Sequence, residues 1–157
     1  MANLLQRIRP LHHLPAALIF LLLAVLFGRL MFLRTGQEQN WGYLSLGLLL
    51  SAWLLILALR TRRWGADRLR WRWLGLSTLA GFLLFLGFPP SPLTPLMFVA
   101  LLPLLIIQRE VEDHNAQGEK KHRLFFYLFH AFLLWNILST FWLANASLPA
   151  ALFANTA

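Results

Sequence analysis

The chain has 157 residues, of which 59% are hydrophobic and only 13% charged. A water-soluble domain carries about 25% charged residues, so this composition excludes a soluble globule and points to an integral membrane protein. The formal net charge of +8 reads as basic loops held on the cytoplasmic face rather than as a nucleic-acid surface. With no cysteine among these residues, disulfides, thiolate metal sites and cysteine nucleophiles are excluded within them.

The first predicted span is AALIFLLLAVLFGRLMFL, Ala16 to Leu33. Arg7, Arg9, His12 and His13 precede it, and Pro15 suits the first turn of a helix. The run is longer than a signal-peptide core and no clean cleavage site follows it, so it is expected to remain as an anchor. The polar stretch RTGQEQN leads to a second span, Trp41 to Leu59, which opens with two aromatics suited to the interface. At about 1.5 Å per residue, each run reaches close to the ~30 Å of a hydrocarbon core.

RTRRWGADRLRWRW follows, Arg60 to Trp73, with Arg60, Arg62, Arg63, Arg68, Arg70 and Arg72 against the single acid Asp67. Arginine alternating with tryptophan suits nucleic acid. Between two spans the expected partner is instead the bilayer surface, where each cation contributes about 1 kcal/mol on anionic headgroups. These six arginines are the predicted headgroup contacts, and no nucleic acid is expected.

The third and fourth runs, Leu74 to Phe88 and Leu93 to Ile107, reach only about 22 Å each if helical. Between them Pro89, Pro90, Pro92 and Pro95 end the first helix abruptly and bias Phe88, Ser91 and Thr94 toward extended geometry. The expected result is a rigid turn joining two short tilted spans; a re-entrant hairpin is the alternative. Thr94 is expected to cap the fourth helix with Pro95 at its first position, and Pro103 to kink it. Gln108 to His122 reads as a mixed-charge loop without periodicity, and its lone glycine makes no phosphate-binding loop. A fifth span covers Leu124 to Ala144, and ASLPAALFANTA reads as the start of a sixth.

Orientation follows from the cations. With the amino terminus inside, twelve of the fourteen lysines and arginines lie inside: Arg7, Arg9, the six just named, Arg109, Lys120, Lys121 and Arg123. Only Arg29 and Arg34 fall outside, so the proline turn and the chain end are expected on the outer face.

Polar residues inside spans are costly. Asn136, Ser139 and Thr140 share a face of the fifth span, and His130 lies about 120° away from Asn136. Such groups usually hydrogen-bond between helices, and His130 has no second ligand at a metal-binding spacing. The pairs Gly47 with Ser51 and Ser77 with Gly81 predict close helix approach. All six acids read as loop residues, so no catalytic residue, metal site or cofactor is expected in this chain.

Gly81 to Glu110, GFLLFLGFPPSPLTPLMFVALLPLLIIQRE, resembles apolipoprotein N-acyltransferase: a short span ends in a phenylalanine-proline turn, then a proline-led apolar run closes on a basic loop. The likeness continues through Phe125 to Ser147, where Phe141 and Trp142 occupy the family's aromatic exit at the outer face. The five apolar runs and the apolar tail predict an all-α polytopic bundle of about five transmembrane helices plus the start of a sixth, and the resemblance agrees with a membrane bundle. Residues 1–72 would form an added two-span hairpin with a basic cytoplasmic loop, and 73–157 a truncated acyltransferase-like membrane region. It further implies residence in a bacterial cytoplasmic membrane and two partners, a phospholipid acyl donor and a diacylglyceryl lipoprotein. Phe88, Pro89, Phe141 and Trp142 are the implied substrate contacts. The family's glutamate, lysine and nucleophilic cysteine lie in a nitrilase-like domain after the membrane helices. None can be carried over, and the chain is expected not to be catalytic alone. The alternative is a small transporter subunit or assembly protein.

Overall fold

A computed structural model describes residues 13–36, 41–65, 67–89, 91–117 and 122–145. The described residues form helices α1 (His13–Gly36), α2 (Leu44–Thr61), α3 (Arg68–Gly87), α4 (Leu96–Val99), α5 (Leu101–Ala116) and α6 (Leu124–Thr140). A 3-10 turn, Phe141–Asn145, continues α6, and the described residues include no strand. Leu14–Thr35, Leu44–Thr61 and Leu124–Asn145 are long and apolar enough to cross a bilayer. Their large side chains are not withdrawn from the surface: Leu18, Val25 and Phe32 of α1 and Ile56 of α2 are exposed. A helix apolar on every side and left uncovered by protein is stable only against lipid. The expected start of a sixth span, Pro90, and the lysines at 120 and 121 lie outside the described residues.

The described residues divide into two compact units. The first comprises α1, α2 and the 3-10 turn. At the α1 end, the Trp41 indole donates to the Thr35 hydroxyl at 2.8 Å and an Arg34 guanidinium N–H to the Trp41 carbonyl at 3.3 Å. A Cβ on Gly47 would stand 2.7 Å from the Phe27 ring, so the glycine is what lets α1 lie against α2. The Ser51 hydroxyl donates to the Gly47 carbonyl of its own helix at 2.6 Å, which removes a polar group from the apolar surroundings. Ser45, also buried, donates to the Phe141 carbonyl at 3.1 Å and ties the 3-10 turn to α2.

The second unit comprises α3 to α6. Trp73, Ser77, Ala80, Gly81 and Leu84 form the buried stripe of α3, at the three-to-four-residue spacing of one helix face. It packs on Tyr127, Ala131 and Leu134, members of the equivalent stripe of α6. The Ser77 hydroxyl donates to the Tyr127 carbonyl, and Thr78 Oγ1 lies 2.9 Å from His130 Nε2. The expected close approach at Ser77 and Gly81 is therefore present, and His130 is spent on a helix-to-helix hydrogen bond.

α3 runs antiparallel to the α4–α5 segment, since Trp73 meets Glu110 of α5 at one end while Gly87 meets Met97 of α4 at the other. Three features differ from the sequence reading. The helix of α3 begins at Arg68, inside the expected arginine loop, so Arg68, Arg70 and Arg72 are helical. α5 continues to Ala116, through more than half of the expected mixed-charge loop. Leu104, Ile107 and Val111 are buried in helical register there, and Gln108 bonds Glu112 one turn on at 3.0 Å, a periodicity hidden by the intervening charges. Thr94 does not cap: no side-chain cap bond opens α4, and its hydroxyl instead donates to the Ser91 carbonyl at 2.8 Å. Pro103 does interrupt the helix as expected. It has no N–H for the carbonyl four residues earlier, and the break between α4 and α5 falls at Ala100.

The proline turn depends on Gly87. A Cβ there would stand 2.7 Å from Met97 Cγ and 2.9 Å from the Met97 backbone nitrogen. Backbone cannot swing aside, so Gly87→Ala is expected to cost about 1–3 kcal/mol by overpacking. A lower thermal unfolding midpoint in detergent would register it; an unchanged midpoint would mean that the turn is not closed this tightly.

Candidate functional site

The turn that Gly87 permits borders an open groove of about 370 Å³, lined by Phe85, Leu86, Phe88, Pro89, Ser91, Leu138 and Ser139. α3 and the turn supply the first five; α6 supplies Leu138 and Ser139, one turn past Trp135. Phe88 holds its ring edge-on to Trp135 with centroids 5.8 Å apart, and Trp135 meets Phe132 at 6.4 Å. The wall is thus aromatic and aliphatic, with two serines as its polar points. Ser91 also fixes the turn by accepting the Leu93 N–H at 3.1 Å. No metal cluster of three or more histidine, cysteine or acidic residues occurs among the described residues.

Of the implied substrate contacts, Phe88 and Pro89 are exposed in the second unit and line this groove. Phe141 and Trp142 belong to the first unit. Phe141 stacks at a tilt on Tyr43 with centroids 5.5 Å apart, and Trp142 is exposed. On the polar face of α6, Ser139 joins the groove while Thr140 bonds back to the Asn136 carbonyl at 2.8 Å. Among the headgroup candidates, Arg60, Arg62, Arg63 and Arg68 are exposed, and Arg70 is half-buried.

Arg72 is committed elsewhere, in a cluster at the opposite end of the α3–α5 hairpin. It bonds Glu110 Oε1 at 2.8 Å, while the Trp73 indole donates to Glu110 Oε2 at 2.8 Å. Trp73, expected among headgroup-facing residues, is fully buried and ringed edge-on by His114, His122 and Tyr127 at 4.9–5.7 Å. The His114 ring meets the Glu110 carbonyl at 2.8 Å, and Asn115 holds the backbone N–H of His122 at 2.8 Å. Glu110 therefore sits on a helix rather than in a loop, with both oxygens occupied. This is a structural clamp. The sequence signal that could have found it is positional: Trp73 and Glu110 stand just outside two apolar runs of equal length, where an antiparallel hairpin brings its ends together.

Apolar helices with lipid-exposed faces, paired into hairpins and packed through small residues, define a multi-pass helical membrane protein. Residues 80–156, just under half of the chain, match the family described as the apolipoprotein N-acyltransferase N-terminal domain. The groove residues all fall within this segment. Neither a curated protein nor a solved structure matches the chain.

Proposed function

We propose that the chain is the membrane part of an apolipoprotein N-acyltransferase-like protein of the bacterial inner membrane, and that its groove seats an acyl chain of the lipid substrate. The reaction would move an acyl group from a phospholipid to the amino-terminal S-diacylglyceryl cysteine of a lipoprotein, with the transferase chemistry supplied outside these residues. The carrying observation is the coincidence of the family match with an apolar groove built on Phe88 and Pro89. Phe141 and Trp142, in the first unit, are proposed as further substrate contacts. The cation count supports an inside amino terminus, with the exposed arginines of the segment from Arg60 to Arg68 on anionic headgroups. Within the second unit, the turn and the end of α6 lie together, away from the Arg72–Glu110 end, as that orientation requires.

The test is a phospholipid with a photoactivatable acyl chain, incorporated into nanodiscs holding the full chain. Adducts are expected to concentrate on Phe85 to Ser91 and on Leu138 and Ser139, and to fall several-fold in Phe88→Ala. Adducts spread evenly over the exposed faces of α1 and α2 would refute an acyl seat at the turn.

A further inference from the structure

The family match begins at residue 80 and assigns no task to α1 and α2. Yet α2 grips the 3-10 turn Phe141–Asn145 that ends the last described span, and the two belong to one unit. A 3-10 helix closes a turn every three residues, so side chains at i and i+3 eclipse and successive ones stand about 120° apart. Exposure follows that rule residue by residue. Phe141 and Ala144 share the inner face, half-buried and buried, while Trp142 and Asn145 share the outer face and are both exposed.

Two groups at the start of α2 fix the inner face. The buried Ser45 hydroxyl donates to the Phe141 carbonyl across ninety-six positions of sequence, and the Tyr43 ring stacks on the Phe141 ring. Gly42, at φ 56°, makes the sharp bend that presents Tyr43, and the Trp41–Thr35 bond braces that bend from α1. The Ser45 hydroxyl also has the Gly42 carbonyl at 3.3 Å, so it keeps an acceptor when the turn lifts away. Its bond to Phe141 is therefore a bias on the turn rather than a lock.

We propose that the amino-terminal hairpin aims Trp142, with Ser45 and Tyr43 as positioning residues that act through Phe141. Of the two aromatics, Phe141 is the anchor and Trp142 the group presented to a ligand. What Trp142 then does rests on its reading as a substrate contact; its placement by the hairpin does not. Losing one neutral hydrogen bond changes the ratio of docked to displaced turn by about fivefold.

The test is fluorine NMR of the full chain in nanodiscs with fluorotryptophan at every tryptophan, the Trp142 resonance being assigned by its loss in Trp142→Phe. Ser45→Ala and Tyr43→Leu are each expected to shift or split that resonance, with the displaced state enriched about fivefold in Ser45→Ala. Tyr43→Phe keeps the stacked ring and is expected to keep the wild-type signal. The resonances of Trp53, buried in α2, and Trp73, buried in the second unit, are expected to hold still in every variant. A Trp142 signal unchanged in both Ser45→Ala and Tyr43→Leu, or one that moves only together with Trp53, would overturn the proposal. A photoactivatable phospholipid is expected to label Trp142 in the wild type and several-fold less in Ser45→Ala. Fluorine shifts as expected with no lipid adduct on wild-type Trp142 would uphold the positioning and defeat the substrate-contact reading alone.

Discussion

Gly81→Ala is expected to destabilise the protein by about 1–3 kcal/mol, whereas Gly75→Ala in the same helix is expected to be neutral or to stabilise it by up to about 1 kcal/mol. The two substitutions add the same methyl group to α3 and differ only in what that methyl meets. At Gly81 a Cβ would stand 2.8 Å from the Ala131 carbonyl oxygen and 3.2 Å from Leu134, while at Gly75 nothing lies within 4 Å. Ala131 is backbone within α6, so the clash is relieved only by moving the helices apart. That separation would also strain the Ser77 and Thr78 contacts to α6. Denaturant unfolding in mixed micelles measures both variants on one scale. A Gly81→Ala protein as stable as Gly75→Ala would show that α3 and α6 are not packed through this face.

Glu110→Ala is expected to cost about 2 kcal/mol, and Glu110→Gln less than about 1 kcal/mol. The reason lies in how unequal the two bonds of the carboxylate are. Its partner Arg72 has a side chain 58% exposed, so that ion pair is screened and contributes little. The Trp73 indole is fully buried, and without an acceptor its N–H would carry the desolvation penalty of an unmade hydrogen bond. Glutamine keeps a carbonyl oxygen for the indole and gives up only the charge. Arg72→Ala should accordingly resemble Glu110→Gln, and in Trp73→Phe the Glu110→Ala penalty should largely disappear. Equal losses in Glu110→Gln and Glu110→Ala would shift the weight to the ion pair.

What could be read from the residues was whatever rests on local chemistry. The α1 and α2 spans follow from uninterrupted apolar runs, the stop after Gly87 from proline's missing donor, and the close helix approach from the spacing of Ser77 and Gly81. What escaped depends on partners distant in sequence. Trp73 reads as a headgroup residue beside arginines until α5 brings Glu110 to it, thirty-seven positions on. The helical extension past Ile107 is masked because charged residues outnumber Val111, whose burial alone continues the α5 stripe. Thr94 had a plausible cap to make, but the Ser91 carbonyl, three residues back, took its hydroxyl instead. The groove itself combines α6 residues with a turn about fifty positions earlier.

Because the chain has no cysteine, Ser91→Cys places one unique thiol on the rim of the groove. In cells whose outer membrane is permeabilised and inner membrane intact, a membrane-impermeant maleimide is expected to label that thiol fully. Labelling only by a reagent that crosses the bilayer would put the turn on the cytoplasmic side, where a lipid seat serving acyl transfer at the outer leaflet could not be.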